Sequence, residues 1–268
     1  MHIQLMRLAD FGEIKGAMSK ANLILEVLDA RDPWTTRSRK VEEMASSMGK
    51  KVILVMNKSD LVPREVLDEW VEVFRKEGLK ATYISARERM GTMKLRRFIK
   101  REAPEFPAVV LVVGFPKVGK SSIINVLKGR SSASTSPIPG NPGYTRSFQL
   151  FRIERKLYLV DSPGIIPIEG GPLEMAIRGC PPEKLNNPIE AASSLIERAL
   201  RADPSAIKRA YGIEGSDPLS IIEELARKRG WVSGGELRVE EAARQIIRDY
   251  HTCKLNFYIS PKDLGLSS

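Results

Sequence analysis

The sequence has 268 residues, 42% of them hydrophobic and 6% aromatic, enough for one large domain or a medium domain with a smaller one. That composition excludes a disordered tail and a disulfide-stapled mini-protein. Lys and Arg exceed Asp and Glu by 43 to 33, a net charge of +10, which suits a polyanionic partner as readily as a solvated, ion-paired surface.

Residues 1–10 carry no apolar core of signal-peptide length, and no run approaches the ~18 apolar residues of a membrane span, so no membrane partner is expected. Cys180 and Cys253 lie far apart, with neither a disulfide framework nor a C-x-x-C pair for zinc. A reducing, cytoplasmic location is expected. Short runs rich in Val, Ile and Leu at 23–28, 52–56 and 109–113 lack the alternation of a half-exposed sheet and read as buried parallel strands. Helical stretches at 38–48, 64–77, 92–101 and 120–127 separate them, and 83–85 marks another short strand. Residues 148–153 and 157–160 read as a hairpin, giving six strands in the first 160 residues. Strand and helix alternate, so the fold class is α/β, a six-stranded, mostly parallel sheet. The stretch 131–143 is rich in Ser, Pro and Gly and reads as a mobile loop. Beyond about residue 170 strand-like runs give way to amphipathic helices at 189–201, 204–210, 219–228 and 239–250. We therefore divide the chain into an α/β domain, 1–170, and a small all-α domain, 171–268. Asp217 is the expected N-cap of the third of these helices, with Gly230 at its far end.

Gly114-Phe115-Pro116-Lys117-Val118-Gly119-Lys120-Ser121 fits G-x-x-x-x-G-K-[ST], directly after a strand and before a helix. The backbone N–H groups of such a loop, here Pro116 to Ser122, surround phosphates; Lys120 adds positive charge and the Ser121 hydroxyl ligates Mg²⁺. Asn57-Lys58-Ser59-Asp60 follows the strand at 52–56, where open α/β sheets place ligands. The Asp60 carboxylate suits the ring N–H and exocyclic amine of guanine, a donor pair that adenine lacks, which disfavours an ATPase or kinase. Ser85-Ala86-Arg87 offers a backbone N–H to the guanine carbonyl. Asp161-Ser162-Pro163-Gly164 supplies a carboxylate for the Mg²⁺ shell and a glycine N–H for the γ-phosphate, and Thr145 a hydroxyl for the same shell.

These motifs occur in the order base-reading, Ser-Ala-x, P-loop, switch threonine, D-x-P-G. In this order they resemble the circularly permuted GTPases of the YlqF/RbgA/YawG group, as does Asp29-Ala30-Arg31-Asp32-Pro33 after the first strand. The likeness is strong from residue 23 to 164. It is weak in the C-terminal helices, at Gly234-Gly235-Glu236-Leu237 and Arg248-Asp249 to Lys254-Leu255, where Cys253 and Asn256 stand at positions often occupied by glycine. The resemblance implies a permuted Ras-like fold, GTP and GDP as ligands with Mg²⁺, and GTP hydrolysis used as a switch in assembly of the large ribosomal subunit. It also implies rRNA binding, with the helical domain 171–268 similar to the RNA-binding tail of that group, and a monomer. Small-subunit permuted GTPases typically add an N-terminal barrel or zinc-binding cysteines, a pattern this sequence lacks. The alternative is a GTP-sensing, RNA-binding module with little hydrolysis.

The departures bear on catalysis. Ile165 stands where Ras-like enzymes have a water-orienting glutamine, implying slow intrinsic turnover and a catalytic group from elsewhere. The histidine that some members use would fall near Met6, and only His2 is close. Lys117 replaces the asparagine with which potassium-activated relatives hold a monovalent cation. Its ammonium is expected to stand in for K⁺, a solvated lysine being the other reading. Lys117, Lys120, Thr145 and Gly164 are thus the residues expected to act on the phosphates.

Residues 1–170 hold 29 Lys and Arg against 19 Asp and Glu, whereas 171–268 hold 14 of each. The densest cluster is Arg87, Arg89, Lys94, Arg96, Arg97, Lys100 and Arg101, read as an RNA-phosphate surface or a solvated helix face. Trp34, Trp70 and Trp231 are expected in packing.

Overall fold

A computed structural model describes residues 11–128, 150–161 and 166–266. The loop at 131–143, Thr145, Gly164 and Ile165 lie outside the described residues, as do His2 and Met6. The chain divides into two compact units, the second being Ile168–Gly265.

The first unit is built on β1 (Leu23–Asp29), β2 (Lys51–Asn57), β3 (Lys80–Ile84), β4 (Ala108–Val113), β5 (Leu150–Glu154) and β6 (Leu157–Asp161). They form one six-stranded sheet in the order β3-β2-β1-β4-β6-β5, in which only the β5–β6 pairing is antiparallel. Every residue of β1 and β4 is buried, as expected of central strands covered on both faces. The covering helices of this unit include α2 (Arg39–Ser47), α3 (Arg64–Lys76), α4 (Thr92–Glu102) and α5 (Lys120–Lys128), as the sequence pattern predicts within a residue or two. The third strand starts three residues earlier than expected, at Lys80, because pairing with β2 from Ile53 onward draws Lys80 and Ala81 into the ladder.

Two described α-helices escaped the sequence pattern, the short Pro172–Ile177 helix of the second unit and, in this unit, α1 (Phe11–Ser19). Gly12 and Gly16 lower its intrinsic propensity, and burial of Ile14, Ala17 and Met18 offsets that cost. Trp70 is fully buried on α3 and stacks between Trp34 and Phe74, with ring centroids 6.2 and 5.7 Å away, so both tryptophans serve packing.

The second unit contains α6 (Pro172–Ile177), α7 (Pro188–Ala202), α8 (Ala206–Tyr211), α9 (Pro218–Lys228) and α10 (Val239–His251). The Asp217 side chain caps α9 by accepting from the Ser220 N–H at 2.8 Å, and Gly230 takes a left-handed φ of 65° after its end. The core is formed by Leu195, Ile196, Ile222, Leu225, Ile246 and Ile247 among others, with Trp231 packed against it. The unit is not purely helical. Val232–Ser233 (β7) and Glu236–Leu237 (β8) pair as a two-stranded ribbon across Gly234 and Gly235, both at positive φ, too short a pattern to show as strand in the sequence.

Candidate nucleotide-binding site

Because β1, β2, β3, β4 and β6 run parallel, their carboxyl ends open onto one edge of the sheet. Register aligns Asp29 with Asn57, Asn57 with Ile84, and Val112 with Asp161. The base-reading segment, the Ser85-Ala86-Arg87 turn, the P-loop and Asp161 are thereby gathered at that edge, the usual ligand-binding edge of an open α/β sheet.

Asn57 ties three of these segments together. Its Nδ2 donates to the Val118 carbonyl in the P-loop at 2.9 Å, and its Oδ1 accepts from the Ala86 N–H at 3.1 Å. The bond to Val118 needs a glycine beside it: a Cβ on Gly119, whose φ is +97°, would stand 2.2 Å from Asn57 Nδ2. Gly114 answers a similar demand at the start of the loop, where a Cβ would meet the Val27 carbonyl oxygen at 2.5 Å.

Lys58 follows in a left-handed conformation, φ 66°, and its Nζ donates to Asp29 Oδ2 at 2.6 Å. Arg31 grips the same carboxylate through its backbone N–H, Nε and Nη2 at 3.0, 3.0 and 2.8 Å. Burial alone would push the Asp29 carboxyl up, but the Arg31 and Lys58 cations outweigh it and hold the group well below the usual carboxylate range. The D-A-R segment therefore anchors the base-reading loop, a link that sequence spacing does not reveal. Asp60 lies in the short 3₁₀ turn Ser59–Leu61, and its Oδ1 is buried with no hydrogen-bond partner among the described residues. A buried carboxylate oxygen without a donor is costly, and the ring N–H and amine of guanine would satisfy it.

In the P-loop, Phe115, Pro116 and Val118 are buried, Gly119 and Lys120 partly so, and Lys117, Ser121 and Ser122 are exposed. Lys117 adopts a left-handed φ of 64° and makes no side-chain bond among the described residues. The Lys120 ammonium folds over the loop onto the Gly114 and Phe115 carbonyls at 2.7 and 2.9 Å. Burial lowers its pKa to about 8, against the opposing charge of Asp161. Asp161 closes β6, while Ser121 is the second residue of α5; these are the two Mg²⁺ ligands expected from sequence that fall within the described residues. Of the Ser85-Ala86-Arg87 turn, the Ser85 N–H is bonded to the Met90 carbonyl at 3.1 Å and the Ala86 N–H to Asn57. Arg87 is exposed, its side chain 3.4 Å from Glu88.

A glycine loop between a central parallel strand and a helix, with N-K-x-D fastened to it, defines a P-loop protein with guanine-binding motifs in permuted order. The chain belongs to the RsgA GTPase family, whose model matches residues 21–169. Relatives include an uncharacterised GTP-binding protein of Methanocaldococcus jannaschii, 37% identical over 90% of this chain and 64% of that one. Nucleolar GTP-binding protein 2 of Neurospora crassa is 32% identical over 92% of this chain and 41% of its own length. For guanine nucleotide-binding protein-like 3 of Rattus norvegicus the figures are 33%, 93% and 50%. The chain thus spans between 41% and 64% of the length of these relatives. Among solved structures, GNP-bound YlqF from T. maritima aligns with a TM-score of 0.68 at 27% identity, covering 94% of this chain and 98% of that one. Its GDP-bound form aligns at 0.65 and 27%, covering 94% and 100%. The permuted fold and the resemblance to the YlqF group, expected from motif order, are therefore established.

Proposed function

We propose that the chain binds GTP, hydrolyses it to GDP and phosphate, and acts as a nucleotide-controlled switch in assembly of the large ribosomal subunit, with rRNA as partner. The observation that carries the guanine assignment is the buried Oδ1 of Asp60, without a partner among the described residues, in the segment that Asn57 bridges to the P-loop. The nucleolar GTP-binding relatives and the positive charge of the first 170 residues support the ribosomal partner.

In this reading the backbone from Pro116 to Ser122 cradles the phosphates, and Lys120 leaves its carbonyl partners to neutralise the β- and γ-phosphate oxygens. Ser121 and Asp161, completed by Thr145, would hold Mg²⁺, which supplies further charge neutralisation. Water attacks the γ-phosphorus, the bond to the bridging oxygen breaks, and its electron pair leaves with GDP. Lys117 places a fixed positive charge beside that leaving oxygen, and the Gly164 N–H meets the γ-phosphate. Ile165 cannot orient the water, so intrinsic turnover is slow and the bound subunit supplies what is missing.

The test is turnover and co-sedimentation with ribosomal subunits, in GTP-analogue and GDP states. Stimulated turnover and nucleotide-dependent sedimentation with the large subunit are expected. Turnover that stays at its intrinsic level would favour the GTP-sensing RNA-binding module, the reading for which Ile165 speaks. Asp60→Asn should weaken GTP binding roughly 10–100-fold and improve binding of xanthine nucleotides, whose 2-oxo group accepts from the new amide. ATP binding as tight as GTP binding to the unaltered chain would overturn the guanine assignment.

A further inference from the structure

The seven cations between residues 87 and 101 do not form one uniform surface. Arg96 turns inward and donates to the Leu127 carbonyl, Lys100 pairs with Glu154, Arg101 with Glu102 at 3.1 Å, and Arg87 with Glu88 at 3.4 Å. Arg89, Lys94 and Arg97 are exposed and have no carboxylate partner among the described residues. The Lys94 ammonium rests 4.9 Å from the centroid of the Tyr83 ring, which positions it without neutralising it. Met90 and Met93, 52% and 63% exposed, belong to the same stretch.

We propose that the outward side of the 89–97 segment, through Arg89, Lys94 and Arg97, is a docking surface for the phosphate backbone of structured RNA. This rests on the reading of the chain as an RNA-associated GTPase and says which part of the nucleotide domain meets the RNA. Lys94 and Arg97 are about 4.5 Å apart along the helix axis, so their like charges repel and are a cost to the isolated chain. A polyanion turns that cost into attraction. Duplex nucleic acid carries about one charge per 1.7 Å of axis, a density that the carboxylates of an acidic protein face do not reach. The exposed methionine side chains add apolar surface for ribose and base edges. The surface begins at the turn that holds Ala86 against Asn57, which sets docked RNA next to the base-reading edge.

The test uses the full chain and a labelled RNA hairpin, titrated over a range of salt concentrations, with labelled GDP binding measured on the same samples. Changing Arg89, Lys94 and Arg97 together to Gln should lower the slope of log affinity against log salt by about 3, one per lost phosphate contact, and leave GDP binding intact. A matched control changes Lys51, Arg152 and Arg155, exposed cations of the same unit, to Gln. An equal loss in the control, an unchanged slope in the test variant, or displacement of the RNA by polyglutamate as effectively as by unlabelled RNA would overturn the proposal. Failure of the unaltered chain to bind GDP, with the RNA slope and its loss intact, would instead overturn the nucleotide reading and leave the docking surface standing.

Discussion

Lys120 is where binding and stability pull in opposite directions. Folding buries its ammonium and lowers its pKa from 10.5 to about 8, so the unfolded chain holds the proton more tightly. The folded state is penalised below pH 8, and the penalty is relieved as the pH rises from about 8 towards 10.5. Lys120→Met should therefore raise the melting temperature of the nucleotide-free protein at pH 7, by a margin that narrows by pH 10, and should abolish GTP binding. Thermal melts across that range with a nucleotide titration check both halves; a melting temperature below that of the unaltered chain at pH 7 would show the two carbonyl bonds to outweigh the desolvation. Lys120, Ser121 and Asp60 were legible from sequence because each sits at a fixed offset in a short motif. The grip of Asp29 on Lys58 was not, because it joins residues 29 apart through strand register.

Among the elements, β1 carries more than its share of polar work for a strand buried throughout. Glu26 in its middle accepts from the Ser38 N–H at 2.7 Å, at the N-cap of α2, while its Oε2 is buried without a partner among the described residues. Burial, reinforced by Glu42 and opposed by Ser38 and Arg37, raises its pKa to about 8. The folded chain thus keeps a proton that the unfolded chain releases above about pH 4.5, and stability contributed by this site falls as the pH rises from there through 8. Glu26→Gln keeps an acceptor for Ser38 and removes the titration. Its stability relative to the unaltered chain should grow between pH 5 and 8 and then level off, read by urea unfolding; a difference independent of pH would refute the assignment. A glutamate within an apolar run gave no warning of this, since pattern marks the strand and not which polar side chain is trapped in it.

On the scale of the whole molecule, the P-loop and N-K-x-D segments and the second hydrophobic core belong to different compact units. Ile246 is fully buried in the second core, and Ile246→Ala should cost about 2–5 kcal/mol there. The expected outcome is a lowered melting transition in calorimetry with GTP affinity unchanged; an equal loss of GTP affinity would refute the independence of the two cores.

The sequence by itself determined the sheet class, the permuted order of the motifs, where the candidate phosphate- and base-reading motifs lie along the chain, and the placement of charge in the first 170 residues, because each is a local or compositional pattern. Only the tertiary structure decided that Asn57 reaches 61 residues along the chain to Val118, that Gly119 must lack a Cβ to let it, that Asp29 anchors Lys58, and which basic side chains of the 87–101 stretch pair with carboxylates or carbonyls. The physical reason is that strand order and register set these pairings across the sheet, and a one-dimensional pattern records the donors and acceptors without recording which of them meet.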